Sequence, residues 1–356
     1  MRGAVFHNWS LPLLLVIAGA GASYDSVSSR LPGTTALEAV RLPLADELFA
    51  PRPMFEAVQR DIPQVLQVAS QLYRRGAGES VEDVLARFTV EATHNAHRPI
   101  QLAAVKYYLQ GIISRCERDW YRDMPVSTNM MELHDQIENA RRERQHPAYV
   151  TFNYDRLIEF ALTHFGQRFA SLEDYVRPAG ASLFKLHGSV DWARTVGRLE
   201  VGTFGGSAWN IASEIAERVS SLEAPGAIIR TEAVPSSNLD GQIALPALAI
   251  PVRAKDRFEC PESHVVALRA ILPQVRAIVT IGWRAGEEHF LHELHTHVQH
   301  KVEVICVGGT PADAEATVKN LRRGIRAASY ETFGAGFSEF LRHRRIQRLL
   351  NVSWVD

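Results

Sequence analysis

Cysteine is scarce in this chain, no apolar run is long, and neither sign of charge prevails. The three cysteines, Cys116, Cys260 and Cys306, are odd in number and far apart, which argues against a disulfide framework and a paired-cysteine zinc knuckle and fits a reducing, cytoplasmic setting. With 39 Lys and Arg against 40 Asp and Glu, the formal charge is -1. No global electrostatic footprint for nucleic acid or an anionic membrane follows from that balance, although a local basic patch is compatible with it. The apolar run from Leu11 to Gly21 falls short of the ~20 residues that cross a bilayer. No internal repeat or low-complexity tract is visible. The 356 residues suffice for one large α/β domain with an insertion, or for two domains, and either buries an ample core.

The first apolar run has two readings. Arg2, the run itself and the small residues Ala18, Ala20 and Ala22 imitate a secretory signal peptide. Alternatively, Leu13 to Ala18 is a strand, and Gly19-Ala20-Gly21-Ala22-Ser23 is a tight turn whose backbone N–H groups approach a pyrophosphate with no side chain in the way. The preceding His7, Asn8 and Trp9, with a single positive charge, suit a signal peptide poorly, and cleavage near Ala22 would remove the turn. Strand plus turn is therefore preferred, and the sequons at Asn8 and Asn351 then carry no meaning.

Along the chain the periodicity changes twice. A polar link, Tyr24 to Thr35, leads into about Ala36 to Gln145, where helical spacing runs throughout. Pro51, Pro53, Gly76 and Gly78 punctuate it, Ser80 with Asp83 predicts a capped start for Val81 to Phe88, and Gln101 to Tyr121 is amphipathic. From Ala148 strands alternate with helices: Tyr149 to Phe152, helix Leu157 to Phe165, Ser182 to Leu186, then Ala277 to Gly282 and Val302 to Val307. That alternation predicts a parallel sheet, with ligands beyond the carboxyl ends of its strands. Val196 to Pro251, with Gly202, Gly205, Gly206, Pro225 and Pro235, is less regular and predicts a flap or hairpin.

Two further motifs fall at predicted strand ends. Thr151-Phe152-Asn153-Tyr154-Asp155 supplies an amide able to hold a ribose hydroxyl or water, and Lys185-Leu186-His187-Gly188-Ser189 supplies an imidazole that titrates near neutral pH. Each motif has a plain structural reading beside the functional one. The glycine turn lets a strand and helix pack closely, Asn153 and Asp155 cap the next helix, and a lone His187 bonds to backbone in a core. Their order on three strand ends favours one nucleotide pocket. The segment Glu287-Glu288-His289-Phe290-Leu291-His292-Glu293-Leu294-His295-Thr296-His297 is rich in metal-ligand types, yet it has no HExxH spacing. Its histidines step by three around a helix and read as a polar face beside Phe290, Leu291, Leu294 and Val298.

The three motifs together resemble the sirtuin-like NAD-binding family. Val279-Thr280-Ile281-Gly282-Trp283 resembles that family's late strand and glycine turn near the adenine ribose, with Arg284, Ala285 and Gly286 where Ser is often found. Val304 to Gly309 resembles its last sheet strand, with Gly308 and Gly309 near the adenine, and Phe333 to Leu341 its terminal helix. The resemblance implies a Rossmann-like parallel sheet over 10–35 and 147–345, an all-helical insertion over 36–146 after the first strand and loop, and a tail over 346–356. It implies NAD as substrate. Asn153 and His187 would be catalytic, and Gly19, Ala20, Gly21, Ala22, Ser23, Asp155, Gly188, Gly282, Trp283 and Gly308 would hold the dinucleotide.

The four-cysteine zinc module of the family's protein deacylases is absent, so no metal is expected, and Tyr24-Asp25-Ser26-Val27 stands in place of their Pro-Asp-Phe-Arg. The chain is more similar to bacterial antiphage effectors that hydrolyse NAD. That likeness implies a cytoplasmic homo-oligomer with no membrane, working with a hexameric ATPase of the DNA-translocase type or an Argonaute-like protein. The runner-up is a sensor that holds NAD or ADP-ribose without turnover.

Overall fold

The computed structural model describes residues 14–26, 40–76, 78–123, 128–140, 146–176, 180–198, 208–221, 226–231, 242–252 and 257–353. Among them the strands are β1 (Leu14–Ala18), β2 (Ala148–Thr151), β3 (Ser182–Lys185), β4 (Gly188–Arg198), β5 (Ile228–Arg230), β6 (Gln242–Leu248), β7 (Ala277–Ile281), β8 (Val302–Val307) and β9 (Ala327–Phe333). Contacts divide the chain into two units: Met1–Gly33, Pro125–Leu186 and Pro261–Asp356 form one, Thr34–Met124 and His187–Cys260 the other.

The first unit is built on a six-stranded sheet in the order β3-β2-β1-β7-β8-β9, with every pairing parallel. Parallel strands are covered on both faces, so their sequences run apolar without alternation. Leu14–Ala18 and Ala277–Ile281 are buried at every position. This is the Rossmann-like arrangement expected from the sequence. The strand boundaries agree to a residue or so, and β8 covers Val302–Val307 as expected.

One expectation fails at the far edge. Val304 to Gly309 is not the last strand, because β9 follows and pairs with β8. Its residues, Ala-Ala-Ser-Tyr-Glu-Thr-Phe, are half exposed, as an edge strand permits, and so lack the continuous apolar signature. Phe333 consequently ends a strand, and the helix that follows is Gly336–Arg342. A further helix, Gln347–Ser353, occupies part of the expected tail. In the helix Glu288–His297, Phe290, Leu291 and Leu294 are buried while His292 and His295 are exposed, as on a polar face, whereas His289 is half-buried with both ring nitrogens out of solvent.

The second unit combines helices Pro53–Asp61, Pro63–Tyr73, Val81–Glu91, His97–Asp123 and Ala208–Arg218 with an antiparallel sheet, β5-β4-β6. Ser80 caps Val81–Glu91 reciprocally with Asp83, the device read from the sequence. The helix predicted over Gln101 to Tyr121 runs from His97 to Asp123. Its Tyr107 hydroxyl donates to Ala244 O of β6 at 2.6 Å and its Gln110 Nε2 to Val190 O of β4 at 2.6 Å. These bonds explain why 187–260 clusters with the helices. By contrast, helix Asn129–Ala140 belongs with the parallel sheet: Asn129 Nδ2 donates to Asp25 O at 2.7 Å and to Ser338 Oγ at 2.8 Å. The flap region is partly a β4–β6 pairing, and Gly202, Gly205, Gly206, Pro225 and Pro235 lie outside the described residues. The same is true of Arg2 to Leu13 and of most of the link after Ser26. Among the described residues no helix is long and apolar enough to cross a membrane.

Candidate functional site at the strand-order reversal

Strand order reverses beside β1, whose neighbours are β2 on one side and β7 on the other. In open parallel sheets the loops leaving such a point diverge and open a crevice beyond the carboxyl ends of the strands. Three of the predicted segments leave the sheet there: Gly19–Ser23 after β1, Phe152–Asp155 after β2, and Gly282–Trp283 after β7. Gly308 follows β8, the next strand out.

The segment after β1 is a turn leading at once into a short helix, Ala20–Tyr24, with Gly19 at its N-cap. Its glycines interlock with the loop after β7. A Cβ on Gly19 would lie 2.5 Å from Gly282 O, one on Gly21 2.8 Å from Gly282 Cα, and one on Gly282 2.4 Å from Ala22 N. Gly282 also has φ +57, a left-handed conformation that disfavours any side chain. The amides are largely engaged. Gly19 N donates to Ile281 O at 3.0 Å, Gly21 N to Gly282 O at 3.1 Å and Ala22 N to Gly19 O at 2.9 Å. The half-buried Ala20 amide has no acceptor among the described residues.

Asn153 is nearly buried, at 9% exposure, and its side chain is fixed from within. Nδ2 donates to Gly19 O and to Ser23 Oγ, each at 2.8 Å. Its backbone amide donates to Thr151 Oγ1 at 3.0 Å, and that hydroxyl donates in turn to Ala18 O at 3.0 Å. Both amide hydrogens are therefore committed, and Oδ1, an acceptor only, is the polar atom of the side chain that these bonds leave over. Asp155 Oδ1 accepts from Leu157 N at 3.1 Å, so this carboxylate does the capping work of the plain reading.

Trp283 turns inward. Its ring stacks on Phe152 at 5.4 Å and 14° and meets Phe290 edge-on at 5.7 Å. Nε1 donates to Glu287 Oε2 at 2.5 Å, and the Trp283 carbonyl accepts from Thr317 Oγ1 at 2.8 Å. The residue shapes its loop through packing. Gly308 is likewise demanded by packing, since a Cβ there would lie 2.6 Å from Ala314 N.

His187 and Gly188 belong to the second unit. His187 is 3% exposed and its carbonyl accepts from Ala249 N at 2.9 Å. Gly188 has φ +86, and a Cβ would sit 1.7 Å from Ala247 O, so β4 and β6 approach too closely there for any other residue.

Two features of the first unit escaped the sequence reading. Lys185, at the end of the fully buried β3, is 0% exposed and pairs with Glu159 Oε1 at 2.9 Å. A lysine closing an otherwise apolar strand was the available signal. Asp25, just past the glycine turn, accepts from Phe337 N at 2.7 Å, Ser338 N at 3.1 Å and Ser338 Oγ at 2.8 Å, and so caps helix Gly336–Arg342. Nothing local to Asp25 announces a partner more than 300 residues away.

No protein-family model matches the sequence, and no curated protein matches it. Among solved structures the chain is similar to a complex of a Sir2 homologue with NAD, at 15% identity and TM-score 0.38, covering 94% of this chain and 90% of that one. A triple mutant of Sir2 homologues with 2'-O-acetyl ADP-ribose gives 14% and 0.40, covering 96% and 94%. A Sir2 complex with a p53 peptide and NAD+ gives 12% and 0.36, covering 94% and 92%. Similarity at this level carries neither ligand nor activity across, and the strand order and loop geometry stand on their own.

Proposed function

We propose that the chain is an NAD glycohydrolase that releases nicotinamide and ADP-ribose, and that it serves as an effector of antiphage defence by depleting NAD. The observation that supports this best is Asn153. It is locked to Gly19 O and Ser23 Oγ at the point where strand order reverses, with only its Oδ1 acceptor left for a ligand.

The chemistry suits such an acceptor. Breaking the bond between ribose C1' and the pyridinium nitrogen develops positive charge on the ribose, while nicotinamide leaves neutral and needs no general acid. Water adds to C1' and loses a proton, so NAD+ and water give nicotinamide, ADP-ribose and H+. The work left to the protein is positioning and removal of that proton. Asn153 Oδ1 accepts from the ribose hydroxyl or from the water. His187 takes the base role, assigned on its sequence motif, because imidazole accepts protons near neutral pH. Ala20 N–H is the backbone donor for the pyrophosphate, beside the packed glycines at 19, 21 and 282.

Three cysteines cannot form a four-cysteine zinc module, which weighs against a protein deacylase. An activity that drains a host cofactor calls for restraint, for which we propose a cytoplasmic homo-oligomer controlled by a separate partner, an ATPase of the DNA-translocase type or an Argonaute-like protein. Nicotinamide release by the purified chain, alone and in extract of phage-infected cells, is the test. Asn153→Ala and His187→Ala are each expected to lower it about 100- to 10,000-fold. Saturable NAD binding without release in either setting would replace the enzyme by a sensor.

A further inference from the structure

The buried ion pair behind the Asn153 turn has no place in the chemistry above. Lys185 is 0% exposed and Glu159 4% exposed. Removing both charges from water is costly, and an apolar pair of similar volume often gives equal or greater stability. Packing alone therefore gives no reason for a lysine at the end of the Ser-Leu-Phe-Lys strand.

Its contacts suggest one. Lys185 Nζ bonds to Glu159 Oε1 at 2.9 Å and also donates to the backbone carbonyl of Asp155. Glu159 lies in the first turn of helix Leu157–His164 and also accepts from the Tyr175 hydroxyl at 3.2 Å. A single ammonium thus joins the end of β3, the turn Asn153–Arg156 and the start of the helix after it. The opposite end of that turn is fixed by Asn153 itself, through Gly19 O and Ser23 Oγ.

We infer that Lys185 is a positioning residue: its ammonium, held by Glu159, anchors the Asp155 carbonyl and so sets where Asn153 presents Oδ1. For its catalytic consequence the inference rests on the NAD reading. Displacement of a positioned group by about 1 Å costs on the order of 100-fold in rate, and that loss belongs in kcat, because the residue touches no substrate.

The test uses the full chain with Lys185→Met and with Lys185→Met/Glu159→Gln. The single variant leaves Glu159 without its ammonium and melts lower. The double variant removes both charges and recovers most of the melting temperature. Its kcat for nicotinamide release nevertheless stays about 100-fold down with KM for NAD little changed, and amide hydrogen exchange over 152–157 is faster than in the wild type. A double variant with wild-type kcat and wild-type exchange would overturn the inference, leaving the pair a matter of stability alone. The exchange measurement needs no substrate. A wild-type chain that releases no nicotinamide, alone or in extract of phage-infected cells, therefore sinks the NAD glycohydrolase reading, while exchange still decides whether Lys185 anchors the turn.

Discussion

Replacing Gly19 by alanine is the sharpest test of the interlocked loops. The new methyl would stand 2.5 Å from Gly282 O and 2.6 Å from Trp283 Cα. Both are backbone atoms, so no rotamer change relieves the clash and the two loops must part. The Gly19 backbone itself, at φ -106 and ψ -174, suits any L-residue, so the penalty is steric. Overpacking of this kind costs about 1–3 kcal/mol. Parting the loops also strains the bonds from Gly19 N to Ile281 O and from Asn153 Nδ2 to Gly19 O, each worth about 1 kcal/mol net. With about half of each strained bond retained, a total of about 2–4 kcal/mol follows. At roughly 2–4 °C per kcal/mol for a domain of this class, the melting temperature falls by roughly 4–16 °C. The control is Gly286→Ala in the same loop. That glycine is exposed, and a Cβ there meets nothing within 4 Å, so its effect stays within about 0.5 kcal/mol. Thermal unfolding of the two variants beside the wild type decides the matter. A Gly19→Ala chain as stable as Gly286→Ala would refute the close packing on which the site's geometry depends.

Other consequences are separable from this one. Asp25→Ala removes the acceptor used by Phe337 N, Ser338 N and Ser338 Oγ and is expected to cost about 1–3 kcal/mol. Asp25→Asn should lose less, and equal urea midpoints for Asp25→Ala and the wild type would contradict the cap. His264 is fully buried with Nε2 on Leu172 O at 2.8 Å. Burial holds its pKa below the usual histidine value, with the Leu172 bond and Glu173 opposing. The unfolded chain then takes up the proton more readily than the native one. Stability from the neutral ring is complete above the unfolded value near 6.5 and is lost as pH falls through the lower native value. Urea midpoints measured from pH 7.5 to 5 should drop more steeply for the wild type than for His264→Gln, and parallel slopes would contradict the assignment.

Much of the first unit was legible because its physics is local. Strands covered on both faces must be apolar throughout, so β1, β7 and β8 announced themselves by composition. Ser80 and Asp83 are three residues apart, and their capping box was readable for the same reason. β9 was not readable, since an edge strand carrying Ser329, Tyr330 and Glu331 has no continuous apolar run. The association of 187–260 with the central helices was equally hidden. It depends on single bonds such as Tyr107 to Ala244 and Gln110 to Val190, whose partners are separated by 80 residues or more and leave no periodic trace.

The glycines teach a finer distinction. In the sequence, Gly19 and Gly21 suggest a backbone cleared for a phosphate, and Gly282 a second such turn. In the structure the space beside each α-carbon is filled by the backbone of the opposite loop, and the Gly19 and Gly21 amides already have carbonyl partners. The pattern therefore reports first that two loops meet at the strand-order reversal, which only residues without Cβ allow. In open parallel sheets a crevice lies beyond such a reversal, and on the proposed NAD reading its polar edge is what the packing leaves over, the Ala20 amide and Asn153 Oδ1. On this view Gly21→Ala and Asn153→Ala should separate. The former disturbs stability and ligand affinity together, because it moves the loops. The latter removes the acceptor, and with it turnover, and in stability it loses only the Nδ2 bonds to Gly19 O and Ser23 Oγ, about 1 kcal/mol each, with no steric parting of the loops.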